Sequence, residues 1–284
     1  AGAVDRAPAA LPGHGGVALR IDAGTVLAGG HEILREVQLR IAPGEHVAIV
    51  GVSGAGKSSL LGLLLGWHRL SAGRLLVDGR ALDSTGLEAL RRVTAWVDPA
   101  VQVWNSSLLD NLGYASEAPA LARLGEVLAT ARLRGLLARL PQGLQTLLGE
   151  GGALLSGGEG QRVRLGRALL ATDTRLVLLD EPFRGLDRPQ RHALLGEVRA
   201  WWQGVTLLCV THDVGETQAF DRVLVVEHGR IVEDGAPAAL RAGSGRYRAL
   251  LDAEQRLRQS VWQGPQWRHL VVQGGQVQAR GAAP

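Results

Sequence analysis

The feature that most constrains this chain is the run from His46 to Ser59, HVAIVGVSGAGKSS, followed at once by the leucine-rich stretch LLGLLLGWHRL. HVAIV is a continuous apolar run after its histidine, the pattern of a strand buried on both faces of a helix-covered sheet. The leucine density after the glycines predicts a helix over SSLLGLLLGWHRL. Strand, glycine turn and helix make one mononucleotide-binding unit, and the turn fits G-x-x-x-x-G-K-[ST]. Glycines let backbone N–H groups converge on an anion, and the helix N-terminus adds a favourable dipole. Gly51, Ser53, Gly54, Gly56, Lys57, Ser58 and Ser59 are therefore the candidate phosphate-binding residues. Lys57 would reach β- and γ-phosphates, and Ser58 would offer its hydroxyl to Mg²⁺.

Lys57 is also the sole lysine among 31 basic residues; all the others are arginine. A compact charge on a slender stem fits between phosphate oxygens where a planar guanidinium does not. Elsewhere the arginines are scattered among acids, the formal net charge is only +4, and no block of like charge occurs. Nucleic-acid binding is accordingly not expected. The single cysteine, Cys209, lies in the apolar run VTLLCVTH, which fits packing in a reducing compartment. The longest apolar stretch, Leu60 to Trp67, is far short of the roughly 20 residues a spanning helix needs.

Residues 1–16 are rich in Ala, Pro and Gly and read as a linker. The sequence contains no Met, so either an initiator was removed or the chain was cut from a longer polypeptide. VALRID and EILREVQLRI alternate as strands of an antiparallel flank, with Gly29-Gly30 as their turn. Further strands are predicted at RLLVDG, VTAWV, RLVLLD and VTLLCVT, and RVLVVEHGRIVEDG should reverse at His228-Gly229. Between about 105 and 172 leucines recur at spacings of three and four, as in LARLGEVLATARLRGLLARL. The expectation is an α/β domain over 17–252: a mostly parallel sheet, an antiparallel β flank and an inserted helical subdomain. Residues 253–284 form a C-terminal extension, with a helix through AEQRLRQ and a small hairpin around Gly274-Gly275.

The strand RLVLLD ends in Asp180 and Glu181. Beside a phosphate loop, the first carboxylate can hold Mg²⁺ through water and the second can orient a hydrolytic water as general base. Downstream of the helical region, LLSGGEGQRVRLGRALL resembles the signature sequence of ATP-binding cassette (ABC) ATPases. FRGLD, ending at Asp187, is similar to the family's D-loop, and His212 in VTHD to its switch histidine. These motifs stand in the family's order from Val17 to about Leu250.

The resemblance implies a P-loop NTPase fold and an active ATPase using ATP and Mg²⁺, with Glu181 and His212 catalytic and Asp180 at the metal. It also implies that Ser156, Gly157 and Gly158 face the γ-phosphate held by a second cassette. Each chain would then carry half of each site and dimerise on ATP, as homodimer or heterodimer.

Two departures qualify this. The family's glutamine after VTAWV is replaced in position by Pro99, whose side chain cannot coordinate. Asp98 or Gln102 could serve instead, Asp98 having the harder oxygen donor, or neither does. VLAGG, where an aromatic ring often stacks on adenine, has no ring, leaving Leu27 or His31 to cover the base. A milder change puts Glu159 where many members have Gln.

LPQGLQTLLGEGGALLSGG, with Gly149-Glu150-Gly151-Gly152, and NSSLLDNLGYA resemble the wording of exporters. The resemblance implies export of a peptide, lipid or other amphipathic substrate, powered at the cytoplasmic face of a bacterial inner membrane. The partner would be an exporter's transmembrane domain, fused or separate. The alternatives are a soluble ABC ATPase of mechanical or DNA-maintenance role, or an importer subunit.

Overall fold

A computed structural model describes residues 15–98, 100, 102–114, 122–263, 269–273 and 276–280. Two sheets organise it. In the first, β1 (Leu19–Ala28) pairs antiparallel with β2 (His31–Ile41) and with β4 (Leu70–Val77), and β5 (Arg80–Ala81) closes the edge. In the second, β3 (His46–Val50), β6 (Thr94–Val97), β7 (Leu176–Asp180), β8 (Thr206–Val210) and β9 (Arg222–Glu227) run parallel in the order β9-β3-β8-β7-β6. The hairpin partner β10 (Arg230–Gly235) adds an antiparallel edge.

The continuous apolar runs fill the middle of the parallel sheet, because each strand there feeds two cores through its two faces. Ala48, Val50, Val177, Leu179, Leu207 and Cys209 face one core. Val47, Ile49, Leu176, Leu178, Leu208 and Val210 face the other, which contains the antiparallel sheet, α1 (Lys57–Leu64) and Leu90 of α2 (Ser84–Arg92). The first core is covered by α3 (Leu108–Gly113), α4 (Leu124–Thr130), α5 (Arg134–Arg139), α6 (Gly157–Leu170) and α7 (Arg188–Trp201). β10 instead alternates exposed and half-buried residues, as an edge strand with one solvated face does. Arg175, 9% exposed, ties the sheets together by pairing with Asp78 at 2.9 Å and donating to the carbonyl oxygens of Gly15 and Gly16.

Two helix expectations are shortened. The helix after the glycine loop ends at Leu64, and Gly66 turns left-handed (φ 74°) so that the chain enters β4 at Leu70. LARLGEVLATARLRGLLARL is not one helix: it breaks between α4 and α5, where Arg132 adopts φ 53° and its guanidinium pairs with Glu197 of α7 at 2.7 Å. The chain continues through α8 (Pro237–Ala242), α9 (Arg246–Gln263) and the antiparallel pair β11 (His269–Gln273) and β12 (Gln276–Arg280). Most of the predicted linker, Pro99 and the Gly274-Gly275 turn lie outside the described residues. Among the described residues no helix is long and apolar enough to cross a membrane.

Candidate functional site

The parallel register brings four strand ends to one edge: Ile49 pairs with Val210, Val210 with Asp180, and Leu179 with Val97. The residues that follow therefore meet at the carboxyl edge of the sheet, where ligands of open α/β folds bind. They are Gly51 after β3, Asp98 after β6, Glu181 after β7 and Thr211-His212 after β8. A cleft of about 430 Å³ opens there, lined by Ser53, Gly54, Gly56, Lys57, Ser58 and Ser59 together with Asp180, Glu181 and His212.

The glycine loop is shaped by close backbone approach. A Cβ on Gly56 (φ 105°) would lie 2.9 Å from the carbonyl oxygen of Ile33, and one on Gly51 (φ 150°) would overlap the carbonyl oxygen of Val226. Helix α1 starts without a side-chain cap or an acid in its first turn. Among the described residues no acceptor takes the N–H groups of Gly54, Gly56, Lys57, Ser58 or Ser59. These donors face the cleft as a set. The Lys57 ammonium donates to the carbonyl oxygens of Gly51 and Val52, each at 2.9 Å, which holds it over the loop.

The electrostatics follow from burial in this crevice. Burial lowers the Lys57 pKa, opposed by the charges of Glu181 and Asp180. Burial raises Asp180, the Ser58 hydroxyl donating to it pulls it back, and the charge of Asp98 raises it again. Glu181 is pushed up to about 7, first by burial and then by Asp180. His212 is lowered by burial and by Lys57, so its ring is neutral at pH 7. Nε2 of His212 stands 3.2 Å from Oε1 of Glu181, yet Oε1 is buried and makes no hydrogen bond.

Glu181 carries a left-handed backbone, φ 47°, a conformation costing a non-glycine residue on the order of 1–3 kcal/mol. Its N–H donates to Val210 O at 3.0 Å, and Nε2 of Gln161 donates to its carbonyl oxygen at 3.5 Å. These bonds hold the conformation from β8 and α6.

The other predicted residues fall outside the cleft. Ser156 caps α6, accepting from Glu159 N–H, while Glu159 accepts from Ser156 N–H at 2.9 Å and pairs with Arg139. Gly158 packs on the loop after Glu181, where a Cβ would stand 3.0 Å from Gly185 O. Asp187 caps α7 through Gln190 N–H at 2.8 Å. Asp98 is near enough to raise Asp180 and accepts from Ala100 N–H at 2.6 Å. Gln102 is exposed and offers its carbonyl oxygen to Arg167 at 3.4 Å, away from the cleft.

The opposite wall has no local signal in the sequence. Glu32, Ile33 and Arg35 of β2 with His228 and Gly229 of the β9–β10 turn complete the cleft, whereas Leu27 and His31 do not line it. Two bonds fix this wall: Gly229 N–H donates to Ala55 O at 2.9 Å, and Arg35 N–H donates to Gly229 O at 2.8 Å.

A family model described as ABC transporter matches residues 34–184, the stretch from β2 through the glycine loop to just beyond Glu181. The chain belongs to the ABC transporter family. Among curated relatives, this ABC cassette is 36% identical to the ATP-dependent lipid A-core flippase of Alkalilimnicola ehrlichii over 77% of the chain and 37% of that protein. It is 37% identical to the mycobactin import ATP-binding/permease protein IrtB of Mycolicibacterium smegmatis over 81% of the chain and 40% of that protein. The solved structure of a bacterial Atm1-family ABC exporter with ATP bound superposes with a TM-score of 0.81 at 30% identity, covering 86% of this cassette and 43% of that chain. The cassette thus spans less than half the length of these relatives.

Proposed function

We propose that this cassette binds and hydrolyses ATP with Mg²⁺, dimerises on ATP with a second cassette, and powers an ABC exporter of a peptide, lipid or other amphipathic substrate. The observation that carries the reading is one cleft holding unpaired loop N–H groups, the Lys57 ammonium and the buried, hydrogen-bond-free Oε1 of Glu181. Such a set suits a polyphosphate with a water near the carboxylate.

The chain's residues divide the work. N–H groups of Gly54 and residues 56–59 and the Lys57 ammonium hold phosphate oxygens, and the strained Glu181, raised to about 7, takes a proton from the attacking water as general base. Neutral His212, 3.2 Å from Glu181, holds the carboxylate and the transferring group in line. Ser58 and Asp180, close enough that the Ser58 side chain holds the Asp180 pKa down, are the residues that would hold Mg²⁺, with Asp98 near Asp180 as a further oxygen donor. Mg²⁺ typically takes one or two carboxylates and completes its shell from phosphates and water, so no larger acidic cluster is needed, and none occurs among the described residues. Bound there, the ion would neutralise charge developing on the phosphate oxygens.

Ser156, Gly157 and Gly158 are absent from the cleft lining, which supports the reading that they serve the ATP of a partner cassette. Contact with a transmembrane domain is supported by Tyr114, Leu147 and Leu154, exposed by 59%, 59% and 62%. They are linked through the Trp104–Tyr114 ring pair and the Ser106–Leu148–Leu154 backbone bonds. The setting proposed is the cytoplasmic face of a bacterial inner membrane. The match to a mycobactin import protein favours a second reading, import by the same kind of cassette. The test of the core reading is ATP turnover by the chain and its loss in Lys57→Ala. Unchanged ATP affinity in that variant would sink the phosphate-loop assignment.

A further inference from the structure

Glu181 and His212 stand at the ends of different strands, and the sheet's register stops with them. The last ladder-like bonds are Glu181 N–H to Val210 O at 3.0 Å and Thr211 N–H to Ile49 O at 3.2 Å. Past these, the loop 181–187 and the segment 211–216 must be held to each other by side chains. A 3.2 Å contact between Glu181 and His212 therefore needs a second fixed point.

We propose that Arg191 supplies that point as a positioning residue, locking the His212 segment to the helix that ends the Glu181 loop. Arg191 lies in the first turn of α7, its N–H donating to Asp187 O at 2.9 Å, so its backbone is fixed by the same turn that Asp187 caps. Its guanidinium forms an ion pair with Asp213, the residue after His212, and lies 3.9 Å from Glu216. Asp213 N–H donates to Thr211 Oγ1 at 3.1 Å, and Glu216 N–H donates to Asp213 O at 3.2 Å. The segment is thereby folded tightly around His212, with the Asp213 carboxylate turned to α7.

This is not an ordinary surface pair. Side-chain exposures are 23% for Arg191, 27% for Asp213 and 6% for Glu216, whereas freely solvated pairs hold little in place. Arg191 and Asp213 also line a second cleft of about 440 Å³ together with Glu181 and His212. Among the described residues Arg191 shares no hydrogen bond or ion pair with the phosphate loop and does not line its cleft, so its loss should leave ATP binding intact and misplace His212 against Glu181. Misplacement by about an ångström costs up to about a hundredfold in rate.

The inference rests on the ATPase reading above, and the experiment separates the two. ATP turnover is measured for the wild-type chain, Arg191→Ala, Asp213→Ala and the double exchange Arg191→Asp with Asp213→Arg, with thermal midpoints for each. The singles should lose about tenfold or more in kcat with KM for ATP within about twofold of wild type. The exchange, which restores an ion pair between the two positions, should recover most of that loss in kcat. Should Arg191→Ala melt below the assay temperature, the isosteric Asp213→Asn carries the same expectation. Wild-type kcat in the folded singles, a KM rise matching the kcat loss, or an exchange no better than the singles overturns the role of Arg191 alone. A wild-type chain that turns over no ATP overturns the ATPase reading and this inference with it.

Discussion

Glu181→Gln should stabilise the folded chain at alkaline pH. The Glu181 carboxyl is raised from the ordinary 4.5 to about 7, mainly by burial beside Asp180. Between those values the folded chain keeps a proton that the unfolded chain has released, so stability falls as pH rises through the window. The cost is absent well below pH 4.5 and complete above about 7. At roughly 1.4 kcal/mol for each pH unit, the full cost would be about 3 kcal/mol. Because 24% of the side chain is exposed, solvent screening reduces this to about 1–2 kcal/mol.

Glutamine has nearly the same shape and never ionises, so the variant escapes the cost. For a chain of this size, 1 kcal/mol corresponds to roughly 2–4 °C in thermal midpoint. Without nucleotide, the variant should melt about 4 °C higher than wild type near pH 8, the gap shrinking steadily toward pH 5. Scanning calorimetry of both proteins at the two pH values reads this directly, since groups common to both cancel. A gap independent of pH, or none near pH 8, would refute the argument that burial of this carboxylate stores free energy.

The same Glu181→Gln chain should accumulate as an ATP-bound dimer on size exclusion; a monomer under saturating ATP counts against a shared site. Ser156→Ala removes the acceptor for Glu159 N–H and should cost about 1 kcal/mol in chemical denaturation, while Glu159→Gln keeps an acceptor for Ser156 N–H and should cost less. Equal losses would mean that the capping box is not what Ser156 contributes to folding. Asp98→Ala should raise the Mg²⁺ concentration needed for half-maximal ATP turnover, and an unaltered Mg²⁺ dependence would remove Asp98 from the metal site.

What was legible in the sequence was what depends on short stretches. HVAIV, LVLLD and TLLCV are apolar at nearly every position because each strand serves two cores, and that property shows without knowing the partners. Once those strands are parallel and adjacent, Gly51, Glu181 and His212 must meet at one edge, so the centre of the site was readable too. Local signals that compete were harder. Apolar residues continue past Leu64, but Gly66 takes a left-handed turn that ends the helical segment, and Arg132 breaks a leucine pattern through its own backbone and its pairing with Glu197.

The far wall of the cleft was illegible for a different reason. Ile33, Arg35, His228 and Gly229 come from a strand and a hairpin far apart in sequence; the bond Gly229–Ala55 joins the hairpin to the loop, and Arg35–Gly229 joins the strand to the hairpin. Glu159 shows the opposite failure. Set beside the family it reads as a changed glutamine, yet Ser156-Gly-Gly-Glu159 is also the S-x-x-E of a capping box, a signal present in four consecutive residues. Its carboxylate satisfies Ser156 N–H and meets Arg139, so the departure has a folding role at the start of α6. That same helix reaches the Glu181 loop twice, through Gln161 to Glu181 O and through Gly158 against Gly185. A ligand bearing on Ser156 and Gly158 would therefore press on the loop that holds Glu181 in its left-handed turn. The residues expected to meet a partner's ATP are thus mechanically joined to the carboxylate expected to act on the chain's own.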